Sequence, residues 1–153
     1  MARYTRYHTA IGLAVGLIVW SGGLAGPGNP ARADTFIAQP LAKGDTELME
    51  AYRQGQSDVM VEGVGWVTRL LADDLEGSRH QRFILQLASG QTLLVSHNID
   101  VAPRINSLRV GDEVRFRGEY EWNDRGGIVH WTHNDPKGWH PDGWLIHNQV
   151  RYE

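Results

Sequence analysis

Residues 112–122 read DEVRFRGEYEW, and in them Val114, Phe116, Gly118, Tyr120 and Trp122 alternate with Glu113, Arg115, Arg117, Glu119 and Glu121. A period of two is the repeat of a half-buried strand, whose successive side chains leave opposite faces. This predicts a strand with the first set in a core and the second in solvent. The outer charges nearly cancel, which fits a solvated face carrying cross-strand ion pairs and assigns it no ligand.

The neighbouring segments extend this pattern in both directions. Downstream, NDRGG at 123–127 reads as a hairpin loop leading to a fifth strand, IVHWTH at 128–133. GWLIH and VRY form a last short pair around a turn at Asn148 and Gln149. Upstream, the irregular NIDVAPRINSLRVG separates the strand from a hairpin, RHQRFILQL and QTLLVSH, that turns at Ser89 and Gly90. In its first arm Gln81, Phe83, Leu85 and Leu87 face one way, and His80, Arg82, Ile84 and Gln86 the other. Before that, Val59 to Leu71 is a long first strand whose Gly63 and Gly65 permit a bulge or a sharp curl. Three meandering strands, an irregular crossover and two more strands are the plan of an all-β fold. Residues 58–153 are therefore expected to form a small five-stranded Greek-key barrel of the oligonucleotide/oligosaccharide-binding (OB) type. Residues 34–57 read as a tether and one short helix, TELMEAYRQ, with Asp45 as its N-cap and Gly55 as its terminator.

Residues 1–33 have the layout of a signal peptide: Arg3 and Arg6, an uncharged apolar run, and small residues at Ala31 and Ala33. The alternative is an uncleaved membrane anchor. The run from Thr9 to Leu24 falls short of the roughly 20 residues that a spanning helix needs. Export, to the periplasm or beyond the cell, with cleavage after Ala33 is the expectation, and membrane contact only through this segment if it stays. The chain has no cysteine, so neither a disulfide nor thiol chemistry is available. Residues 34–153 carry 12 basic and 18 acidic side chains, a net charge of −6 that repels phosphate backbones and argues against nucleic acid as a partner.

The segments HQRFILQL, VSHNIDVAPRI, GDEVRFRGEYEWN, GGIVHWTHNDPKG and HPDGWLIHN occur in that order between Val59 and Tyr152. Together they resemble the bacterial family called domain of unknown function 3465. The resemblance implies a small exported β-barrel protein and carries over no activity, cofactor or catalytic residue.

Candidate chemistry concentrates in His130 to Asn148, HWTHNDPKGWHPDGWLIHN, which holds four of the seven histidines and three of the six tryptophans. Three readings compete. Zinc or another divalent cation suits imidazole and carboxylate donors, and His133, Asp135, His140, His147 and His97 could supply them if loops fold back. His130 and His133 cannot share an ion unless the strand ends between them, because strand neighbours alternate faces. Pro136 and Pro141 deny a helical ligand spacing. A second reading is packing: the prolines, Asn134, Asp135, Asp142, Gly138 and Gly143 are turn residues, and the tryptophans cover a barrel end. A third is a ligand surface, a lid with Trp139 and Trp144 flanking a concave face, His140 and His147 at its edge, and His80 and Arg82 contributed by the second strand. Asp73, Asp74 and Glu76 form an acidic loop that could hold a cation. No nucleophile elbow, P-loop or dinucleotide fingerprint is present. The expected function is a non-catalytic binding module, without a cofactor, for a small polar molecule, a glycan or a protein partner. The alternatives are a metal-dependent hydrolase or nuclease using the tail, and a structural component of an envelope assembly.

Overall fold

The structure, a computed structural model, describes residues 43–153. The expected signal segment, residues 1–33, and residues 34–42 lie outside them. No helix among the described residues is long and apolar enough to cross a membrane. The elements are helix α1 (Lys43–Gln54) and strands β1 (Val59–Leu70), β2 (His80–Leu87), β3 (Thr92–Asn98), β4 (Glu113–Glu121), β5 (Ile128–His130), β6 (Trp144–His147) and β7 (Val150–Tyr152).

Strands β1 to β5 pair in the order β1-β2-β3-β5-β4, and β4 returns to pair with β1, which closes the barrel. All contacts are antiparallel except β3 with β5. Closure requires β1 to serve two neighbours, and Gly65 and Trp66 each pair with both β2 and β4. The glycines of β1 act by leaving space: a Cβ on Gly63 would stand 2.6 Å from Cζ of Phe116. The irregularity in the strand falls later, between Val67 and Arg69.

The alternation of β4 places Val114, Phe116 and Tyr120 in the core with no exposed surface, beside Phe83, Leu85, Leu93 and Val95. Burying each such side chain is worth about 1.5–3 kcal/mol, so this cluster is the main source of stability. Two positions on β4 and its end depart from the sequence expectation. Trp122 lies past the strand's last residue and outside the core, where its indole N–H donates to the Tyr52 carbonyl of α1 at 3.0 Å. Glu119, on the outer face, is buried.

Both barrel ends are plugged. Helix α1, the expected short helix, inserts Leu48 and Ala51 into the core. Asp45 is not its N-cap; the helix starts two residues earlier, and the buried carboxylate accepts the Ser89 N–H at 3.3 Å. At the other end the irregular crossover buries Ala102, Ile105 and Leu108. There the Gln81 amide holds Ile105 as a strand would, donating to its carbonyl at 2.9 Å and accepting its N–H at 2.8 Å.

Beyond the barrel, β6 pairs with Val114–Arg117 of β4, the edge that β5 occupies further along at Glu119–Glu121. Asn148 and Gln149, with φ of 49° and 64°, make the tight β6–β7 turn, a conformation that matches the twist of the flanking strands.

Candidate functional site

Strand β5 ends at His130, three residues earlier than its sequence suggests, because Trp131 adopts a φ of 50°. A bulky side chain in the left-handed region costs about 1–3 kcal/mol and persists only where the surroundings impose it. Residues 131–143 leave the edge of β4 and return to it as a closed loop. Its ends touch: the Gly143 N–H donates to the His133 carbonyl at 2.9 Å. A Cβ on Gly143 would stand 1.9 Å from the Trp131 carbonyl oxygen and 2.7 Å from that of Arg117, so only glycine fits there.

Asp135 organises the loop. Its carboxylate accepts the N–H groups of Lys137 at 2.9 Å, His140 at 2.9 Å, and Trp139. Partial burial opposes ionisation, but these three donors outweigh it and hold the carboxyl below the usual range. Its own N–H goes to Asp142 at 2.8 Å. The carboxylate is thereby committed to the backbone. Inside the loop the His140 ring stacks on Trp131, centroids 4.4 Å apart and 11° from parallel, and meets His133 edge-on at 5.0 Å. Nδ1 of His133 and of His140 each donates to a backbone carbonyl, of Asn134 at 2.8 Å and of Pro141 at 2.9 Å.

The loop walls a cleft of about 410 Å³, which His80 and Asn98, directly paired on β2 and β3, and His130 of β5 also line. Trp139 stands at its rim, 79% exposed, with the Lys137 ammonium 4.5 Å from its ring centre. The outer face of β2, β3 and β5 runs on from this cleft, through Arg82 and Ser96, to a second depression of about 550 Å³ that includes Ile84, Leu94 and Ile128. One half-buried surface thus has a polar aromatic end and an apolar end.

Of the residues expected at a site, the structure brings His80, His133, Asp135, Trp139 and His140 to the cleft. It takes the others elsewhere. His97 is fully buried under the crossover, with Nε2 donating to the Pro103 carbonyl at 3.1 Å and Nδ1 accepting from Thr132 Oγ1 at 2.8 Å. Burial lowers its pKa to about 4, so it is neutral and has no free lone pair. His147 lies under β4 with Nε2 2.7 Å from Asp112. Trp144 packs beneath Arg151, 5.3 Å away. Arg82 donates to the Ala72 carbonyl at 3.1 Å and lies 3.7 Å from Asp74. In the acidic loop, Asp73 is held by Arg104 at 2.8 and 3.2 Å. His97 and His147 therefore do not join His133 and His140 around a common point, and both oxygens of Asp135 already accept backbone N–H groups.

A grouping that the sequence pattern does not single out lies beside the cleft. Glu119, Glu121 and His130 place one ligand atom each within 4.8 Å of one another, the one such group among the described residues. Burial pushes the Glu119 carboxyl up, aided by Glu121 and Asp58 and opposed by His140. Burial likewise lowers His130, against the pull of Glu121. The sequence does hold a signal for it: E-x-E on one strand and a histidine across a six-residue hairpin loop share a face once the register is known.

The closed barrel with a loop-walled cleft on the outer face of β2, β3 and β5 defines the class of small OB-type barrels. Within it, the chain belongs to the family described as "Protein of unknown function (DUF3465)", whose model matches residues 32–153. No curated protein matches the chain.

Proposed function

We propose that this protein is an exported, non-catalytic binding module that takes a small polar molecule, most specifically a neutral glycan, in the cleft between the 131–143 loop and β2–β3. The observation that carries this is the composition of the cleft: an exposed Trp139 face, and imidazoles of His80, His130 and His133 with Asn98 below it. Sugar rings offer a flat apolar face and a rim of hydroxyls, which stacking aromatics and directional hydrogen bonds recognise together. The volume, about 410 Å³, is that of a small-ligand site. The acidic net charge disfavours polyanions, so an uncharged ligand fits better than a nucleic acid. Export is supported by the N-terminal charge and hydropathy pattern, and by a family match that begins at residue 32, beside the expected cleavage point.

A glycan array followed by tryptophan-fluorescence titration tests the ligand class. Binding of a neutral oligosaccharide, weakened at least about tenfold in Trp139→Ala and in His80→Ala, is the expected result. Retention of full affinity in both variants, or no glycan bound at all, would refute it. Amino-terminal sequencing of the protein from its natural host is expected to begin at Asp34, and a sequence starting at Met1 or Ala2 would overturn export by cleavage.

A further inference from the structure

Glu119 and Glu121 are two residues apart on β4, so both side chains leave the outer face of the barrel. His130, the last residue of β5, pairs directly with Glu119 and leaves the same face. Its Nε2 is 3.6 Å from Glu119 Oε1 and 3.7 Å from Glu121 Oε1, beyond hydrogen-bond reach. Donors held about 2.1 Å from one tetrahedral centre stand about 3.4 Å apart. The two imidazole–carboxylate spacings are thus close to those of ligands around a common ion and too long for groups bonded to each other, and all three ligand atoms lie within 4.8 Å.

A second observation points the same way. Two carboxylates are buried among the described residues, Asp45 and Glu119. Asp45 accepts a backbone N–H, whereas the Glu119 side chain, 11% exposed, has only the His130 contact at 3.6 Å and no hydrogen bond from the protein. A largely buried carboxylate that no protein donor satisfies is stabilised by a cation, and the groups it faces are Glu121 and His130.

We infer that Glu119, Glu121 and His130 bind a divalent transition-metal ion of the Zn2+ type. An imidazole beside two carboxylates suits such an ion better than Ca2+ or Mg2+, which prefer oxygen alone. Three protein ligands leave a position for water or for a further ligand. Because His130 also lines the cleft, the ion borders it. This inference does not depend on the glycan reading, since metal content is measured with no cleft ligand present.

The test is equilibrium dialysis of the purified full chain against ZnCl2, with elemental analysis and a melting curve. One Zn2+ per chain and a raised melting temperature are expected, with affinity reduced by more than about tenfold in Glu121→Gln and in His130→Ala. Glu121→Gln changes a partly exposed side chain conservatively, so it reports on the site even if His130→Ala does not fold. His133→Ala and His140→Ala should bind as wild type does. Absence of zinc binding, or binding lost in His133→Ala and His140→Ala but kept in Glu121→Gln, would overturn the assignment.

Discussion

The barrel wall and the 131–143 loop are built on opposite terms. In the wall each side chain follows from its neighbour by alternation, the core is apolar, and the backbone is paired on both sides. In the loop the backbone is held by Asp135 and Asp142 carboxylates, the rings stack on each other outside the core, and one residue, Trp131, sits in a strained conformation. Stability resides in the first region, and the loop adds Trp139, His133 and His140 to the His80, Asn98 and His130 that the wall contributes to the cleft. Strained, polar, aromatic loops on a rigid scaffold are where binding is expected, because a paired wall has few free donors and acceptors to offer.

That contrast is sharpest at Phe116. Phe116→Ala should cost about 3–5 kcal/mol, while Arg115→Ala, one residue away on the outer face, should cost less than about 0.5 kcal/mol. Equal denaturant midpoints for the two variants would mean that the wall is not organised by alternation.

His97 joins the two regions, since it bonds Thr132 of the loop and Pro103 of the crossover. It is neutral in the fold, with a pKa of about 4 against an ordinary 6.5. The unfolded chain therefore binds the extra proton first as pH falls. This contribution is complete above pH 6.5 and is lost between 6.5 and about 4, on the order of 3 kcal/mol in total. Chemical denaturation of wild type across that window should show the loss, and His97→Gln should flatten it. An equally steep pH dependence in His97→Gln would remove His97 from this role.

Gly143→Ala forces a Cβ into the Trp131 carbonyl and should cost about 1–3 kcal/mol through displacement of the loop. The near-ultraviolet signal of the stacked Trp131 should change while far-ultraviolet strand content stays. Loss of both together would show that the loop and wall fold as one unit. The smallest effect is expected at Trp139→Ala, less than about 0.5 kcal/mol for a largely exposed side chain, with the melting temperature nearly unchanged. A drop comparable to that of Gly143→Ala would move Trp139 from the binding surface to the packing.

The grouping of several cleft residues is legible in the sequence: Trp139, His140, His133 and His80 line one cleft. The departures have specific causes. Nearness in sequence groups Trp144 and His147 with them, but β6 turns their segment back onto β4. Alternation puts Glu119 on the solvent side because it assigns a face and not what later covers that face. It puts Trp122 in the core because it does not show where a strand stops.

The sequence alone determined the strands, their inward and outward faces and the turns, because these depend on interactions between residues close along the chain: the period of two, glycine and asparagine at positive φ, and apolar runs of strand length. Only the tertiary structure decided the closure of β1 onto β4, the end of β5 at Trp131, and the meeting of Glu119 and Glu121 with His130. Those features depend on pairing register and on backbone contacts such as Gly143 against Trp131, which no local pattern encodes.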